Sequence, residues 1–157
     1  MLNREAIGRL IPHQGSMCLL DHVVHWNADH VECIALSHRE ALNPLRAFGR
    51  LGIAAGIEYA AQAMAVHGAL VGEAEGQAGA RPRAGYLASV RGVSLHAVRL
   101  DDLPSPLRVR AQRLMGDSNN IVYSFEVAAE ERLLLRGRAT VVLDAAMAQR
   151  VAAGESS

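Results

Sequence analysis

Glu58 is the residue whose neighbours most restrict its chemistry. It lies between Ile57 and Tyr59, in a run with no other charge from Leu51 to Gly72. A carboxylate desolvated by apolar neighbours is held closer to its protonated form and can donate or accept a proton near neutral pH. Gln62 follows four residues later on the same helix face, where it could orient the carboxylate by a hydrogen bond. The plainer alternatives are a Glu facing solvent or one paired with an Arg from a neighbouring strand. Gly49, Gly52 and Gly56 precede or open this segment and let other groups approach the backbone closely. Free N–H groups at Gly52 or Ile53 could hold a carbonyl oxygen that gains negative charge. Tight helix–sheet packing is the other reason for glycine there.

Seven histidines are candidates for a second catalytic group. His22 and His25 face opposite sides of a regular strand, so they and His30 do not suggest a metal site. His67 is more than two helical turns beyond Glu58 and reads as a satisfied core or interface residue. His96 reads as a strand surface residue. His13 sits in a Pro-His-Gln-Gly loop leading into a strand, and His38 opens the loop before the apolar helix. Loops at strand ends carry function disproportionately, which leaves these two.

Composition removes several classes of chemistry. The sixteen positive residues are all Arg, balanced by sixteen acids. Without Lys there is no Schiff-base lysine, P-loop lysine or Ser–Lys dyad. Zero net charge argues against a nucleic-acid binder. Cys18 and Cys33 are neither a disulfide scaffold nor a metal-binding pair; they read as buried hydrophobes in a reducing cytoplasm. No metal or other cofactor is expected. The first residues carry no basic segment followed by an apolar run, so no secretory signal is expected.

The surrounding elements follow from periodicity. Residues 3–10 read as a short amphipathic helix, broken by Pro12 and Gly15. Strands are expected over 17–26 and 30–37, joined by a turn at Asn27-Ala28-Asp29. An irregular loop over 38–50 leads to the apolar helix, about 52–71. That stretch suggests a membrane span, but Glu58, Gln62, His67 and its many alanines favour a helix enclosed by protein. After a Gly-rich loop over 72–83, strands are expected over 86–99, 107–115, 121–129 and 133–143, separated by turn residues. No repeat or linker divides the 157 residues, so one domain is expected, with a frayed tail from about 152. One long apolar helix must be covered on several sides. The simplest cover is an antiparallel sheet curled around it, an α+β architecture known as the hotdog fold.

Two segments together resemble a known family. Ile11-Pro12-His13-Gln14-Gly15-Ser16-Met17-Cys18-Leu19-Leu20-Asp21-His22-Val23 resembles the Pro-His-Arg-x-Pro-x-Leu-Leu-x-Asp-x-Val opening of FabZ-like (3R)-hydroxyacyl-acyl-carrier-protein dehydratases. Gly56-Ile57-Glu58-Tyr59-Ala60-Ala61-Gln62 resembles that family's central helix, and the order of elements is similar across about residues 5–143. The likeness is strongest to dehydratase-like proteins of aryl-polyene and related polyketide-type clusters. Those carry a similar Asn43-Pro44-Leu45-Arg46 loop and a helix similar to Gly56 through Gly68.

The resemblance implies a hotdog dimer with active sites at the subunit interface. The substrate would be a 3-hydroxyacyl chain on the phosphopantetheine arm of an acyl carrier protein. It would lose water to give a trans-2-enoyl thioester. In that family a His removes the C2 proton, the helix Glu handles the hydroxyl, and a helix-start N–H polarises the thioester carbonyl. Glu58 matches this pattern. The histidine of the family's Gly-His-Phe-Pro-Gly loop does not carry over, because the corresponding position is Pro44. Either His13 or His38 takes the role, with His13 favoured, or the chain performs other chemistry, or it is a non-catalytic partner of an active homologue. Glu58 and His13 are thus the expected catalytic pair. Gln62, Gly52, Ile53, Asn43 and His38 are expected to contact substrate. The alternatives are a hotdog thioesterase in which Glu58 activates water, and a structural subunit.

Charge is distributed unevenly. Arg81, Arg83, Arg91 and Arg99 lie between Gly76 and Leu100 without an acid, as do Arg46 and Arg50 between Ala41 and Ile57. A positive face formed by Arg46, Arg50, Arg81 and Arg83 would suit an acidic carrier protein and its phosphate. Ordinary solvated arginine is the alternative.

Overall fold

The structure, a computed structural model, describes residues 2–11, 17–75, 85–117 and 119–143. His13, Arg81, Arg83 and the expected frayed tail lie outside the described residues.

The elements run in the order α1 (Arg4–Leu10), β1 (His22–Asn27), β2 (His30–Ala35), α2 (Gly56–Ala74), β3 (Gly85–Leu95), β4 (Leu107–Gly116), β5 (Asn120–Ala129) and β6 (Arg132–Leu143). The six strands form one antiparallel sheet in the order β1-β2-β4-β5-β6-β3. Its inner face wraps α2, so the fold is the expected hotdog.

Local chemistry explains the elements. Asn3 caps α1 by accepting the Ala6 N–H at 2.9 Å. The strands alternate buried and partly exposed positions, most regularly in β2 and β5, as a half-buried sheet requires. Their inward residues, including Val31, Cys33, Val109, Tyr123, Phe125 and Val127, meet Tyr59, Ala60, Ala63, Met64 and Val66 of α2 in one core. Alanine is the best helix former and the smallest side chain that keeps a Cβ, so the sheet can close tightly on α2. Gly56 takes this furthest. A Cβ there would stand 2.2 Å from Leu135 Cδ2.

Two boundaries differ from the periodicity. Residues 17–20 are not part of β1; they run beside α2 and bond to its side chains. The third strand ends at Leu95 rather than at Arg99. Residues 98–100 instead flank the start of α2, where Ile53 N–H donates to Val98 O at 3.0 Å and Leu100 N–H to Leu51 O at 2.8 Å. Both segments satisfy their backbone polar groups outside the sheet. Cys18 and Cys33 are buried and unpaired. Burial pushes the Cys33 thiol up to about 12, so it is no nucleophile. Among the described residues there is no cluster suited to a metal ion, and no helix is long and apolar enough to cross a membrane.

Candidate active site at the start of α2

The start of α2 is assembled by backbone pairing. Gly52 is extended and pairs with Arg99 in an isolated bridge. The two hydrogen bonds of that bridge use Leu51 O and Ile53 N, so the Gly52 N–H points away from the 98–100 segment. Ile53–Ala55 then form a 3-10 turn that runs into Gly56. This corrects one expectation: the Ile53 N–H is committed to Val98, and Gly52, which is exposed, holds the outward N–H.

Glu58 lies in the first turn of α2, where the helix dipole favours a carboxylate. It is exposed in a single copy of the chain. The expectation of a carboxylate enclosed by its own apolar flanks is therefore corrected. Tyr59, Ala60 and Gln62 turn inward, while Glu58, one turn before Gln62, lies at the exposed edge of that face. A surface packed against it from a second subunit could desolvate it.

Gln62 does not reach toward Glu58. Its Oε1 accepts the Leu19 N–H at 2.9 Å, and its Nε2 donates to Met17 O at 2.8 Å. Tyr59, three residues earlier, makes a second attachment to the same segment. Asn43 Nδ2 donates to Tyr59 OH at 3.0 Å, and Tyr59 OH lies 2.7 Å from Ser37 Oγ. Ser37 Oγ spends its proton on Leu19 O at 2.8 Å, so Tyr59 is the donor of the pair. Burial raises the Tyr59 pKa and keeps the phenol neutral. Asn43 also donates to Ser37 O and accepts the Leu45 N–H, both at 2.9 Å. The loop after β2 and residues 17–19 are thus fastened to one face of α2. Asn43 and Gln62, both expected to contact substrate, bond to backbone within the chain.

His38 is fully buried on a 3-10 turn, Ser37–Arg39. Its Nε2 donates to Leu103 O at 3.1 Å. Its Nδ1 has no partner among the described residues. Burial lowers its pKa, so the ring is neutral and sealed from the surface that displays Glu58. This counts against His38 as the missing base.

Arg46 is also committed. It donates to Glu40 O at 2.8 Å, Gly49 O at 3.2 Å and His38 O at 3.4 Å. It also pairs with Asp101 at 3.5 Å, with the side chains 17% and 6% exposed respectively. Asp101 further accepts from Leu51 N–H at 3.0 Å and from Arg99. Those contacts hold its carboxyl well below the usual range. Of the expected positive face, Arg46 is thereby paired within the chain, while Arg50 remains exposed. Tyr59, Ser37 and Asp101 were missed from sequence. A Tyr three residues before a helix Gln was the available signal for the first.

The chain that carries this helix has counterparts among known proteins. The model of the ApeP-like family, described as ApeP dehydratase, matches residues 5–153. The chain belongs to the ApeP-like dehydratase family. No curated protein sequence matches it. Among solved structures, the dehydratase heterocomplex ApeI:P from Xenorhabdus doucetiae matches with a TM-score of 0.79 at 23% identity, over 92% of this chain and 96% of that one. A thioesterase family protein from Silicibacter pomeroyi matches with a TM-score of 0.62 at 17% identity, over 88% and 93%. A hypothetical thioesterase with coenzyme A from Streptococcus pneumoniae matches with a TM-score of 0.56 at 11% identity, over 78% and 84%. At these identities the structures share the hotdog fold with this ApeP-like chain.

Proposed function

We propose that the chain dehydrates 3-hydroxyacyl thioesters carried by an acyl carrier protein, in a site completed by a second hotdog subunit. The family match over residues 5–153 carries this reading. In the reaction, C2 loses a proton, the C3 hydroxyl takes a proton and leaves as water, and a C2–C3 double bond remains. Glu58 donates to the leaving hydroxyl. The Gly52 N–H polarises the thioester carbonyl as charge develops on its oxygen. His13 is the proposed base. It stands four residues before Met17, whose carbonyl Gln62 holds one helical turn beyond Glu58. The exposure of Glu58 supports a shared site, since a partner surface would supply the missing desolvation. Arg50, Arg81 and Arg83 are the proposed carrier-protein contacts. The product would enter fatty-acid or aryl-polyene-type biosynthesis in the cytoplasm.

A second reading is favoured by the absence of a histidine near Pro44 and by the ApeI:P heterocomplex. In it the chain is the non-catalytic half of a heterodimer with an active dehydratase. Thioester hydrolysis with Glu58 activating water is a third reading, supported by the thioesterase structures. Mass spectrometry of a 3-hydroxyacyl carrier-protein thioester incubated with the purified chain separates them. Loss of water supports the first, no change until a partner is added the second, and loss of the acyl group the third.

A further inference from the structure

The outer face of the sheet, turned away from α2, carries two rows of polar side chains set by strand register. Glu32, Arg110, Glu126, Arg136 and Ser94 form one row across β2, β4, β5, β6 and β3. His30, Gln112, Ser124, Arg138 and Arg91 form the next. A shallow groove of about 730 Å³ runs between His30 and Glu32 at one end and Arg136 and Arg138 at the other.

Charge on this face of the sheet is not balanced. Arg110 takes both acids, Glu32 at 2.8 Å and Glu126 at 3.2 Å. Arg91, Arg136 and Arg138 then have no ion-pair partner among the described residues. Arg91 and Arg138 stand directly opposite each other on β3 and β6, a like-charge pair that costs stability when nothing neutralises it. At the far end, His30 Nδ1 is shielded from solvent and has no hydrogen-bond partner among the described residues.

We propose that this face docks an acidic helix of a partner protein. Neighbouring strands are about 4.8 Å apart, so five strands span about 19 Å, the length of about 13 helical residues. Carboxylates three and four residues apart on a helix are spaced by about 5–6 Å, which suits guanidinium groups held at strand spacing. Arg91, Arg136 and Arg138 take carboxylates at one end. Glu32 and Glu126 fix the direction of the helix by repelling acids placed against them. This surface stands whether or not the dehydratase reading does.

Fluorescence anisotropy of a labelled, Glu-rich helical peptide titrated with the full chain tests the proposal. Binding at low salt is expected to weaken at least about tenfold in the Arg91→Glu/Arg138→Glu double variant, with its melting curve checked for folding. Arg9→Glu, on α1, is expected to leave binding unchanged. Equal peptide binding by the double variant, or an equal loss in Arg9→Glu, overturns the proposal. So does the absence of peptide binding while inorganic diphosphate binds in an Arg138-dependent way, which would make the groove a small-phosphate site.

Discussion

The side-chain carbonyl of Gln62 accepts the backbone N–H of Leu19 at 2.9 Å, across a sequence separation of 43 residues. The same amide donates to Met17 O at 2.8 Å. One side chain therefore replaces a strand ladder for residues 17–19 and fixes where the chain emerges from the segment bearing His13. Gln62→Ala leaves an N–H and a C=O unpaired, at a cost of about 2–4 kcal/mol. The thermal midpoint should fall by roughly 4–16 °C. Gln62→Glu can still accept from Leu19, but it donates to Met17 only when protonated. Its deficit relative to wild type should be smaller at pH 5 than at pH 8; an equal deficit would show that the Met17 bond contributes little.

Glu58 should behave in the opposite way. It is exposed and makes no hydrogen bond within the chain among the described residues, so Glu58→Gln should change unfolding free energy by less than about 0.5 kcal/mol. Dehydration should nevertheless fall at least about a hundredfold, the minimum usually lost with a general acid. Unchanged turnover would remove Glu58 from the site.

His67 should make the fold acid-sensitive. It is buried, donates from Nε2 to Asn27 O at 2.9 Å, and accepts from Tyr123 OH at 2.8 Å. Burial, joined by the nearby Arg113 cation, lowers its pKa below the ordinary 6.5. As pH falls through 6.5 the unfolded chain therefore takes up a proton before the folded chain does. The stability tied to neutral His67 is complete above that pH and is lost progressively below it. His38 shifts the same way. Urea midpoints between pH 7.5 and 5 should decline, and His67→Gln should flatten the decline. A wild-type midpoint that rises toward pH 5 would contradict this.

Gly56 tests the packing of α2 on the sheet. An added methyl would meet Leu135 Cδ2 at 2.2 Å, with Val127 Cγ2 close behind at 3.8 Å. Leu135 is itself fully buried and has little room to turn. Gly56→Ala should cost about 1–3 kcal/mol through overpacking, despite the better helix propensity of alanine. Gly68→Ala is the control, because Gly68 also lies in α2 and nothing stands within 4 Å of its missing Cβ. Chemical denaturation of both variants separates close packing from helix propensity.

Most of the fold was legible because it rests on local patterning. Alternation in β2 and β5, the Asn27–His30 hairpin and the alanine-rich helix are set by residues within a few positions of one another. The same reading placed Glu58 within the long apolar helix, and the motifs around it pointed to the family. It could not say which way the helix faces. Glu58 and Gln62 are only one turn apart, yet the first is exposed and the second buried. That boundary depends on how the sheet closes around α2.

Long-range pairing decided the rest. Arg46 meets Asp101 across 55 residues, which changes a free cation into a strut. His38 is sealed against Leu103 across 65 residues, and Arg91 opposes Arg138 only through the β3–β6 register. The sequence by itself determined element type, the apolar face of each element and the position of the helix carboxylate, because periodicity and propensity act over one or two turns. Only the tertiary structure decided which polar side chains are spent on the chain's own backbone and which remain to meet another molecule. Hydrogen-bond partners and neutralising charges are chosen by proximity in space, and here that proximity joins residues 43 to 65 positions apart.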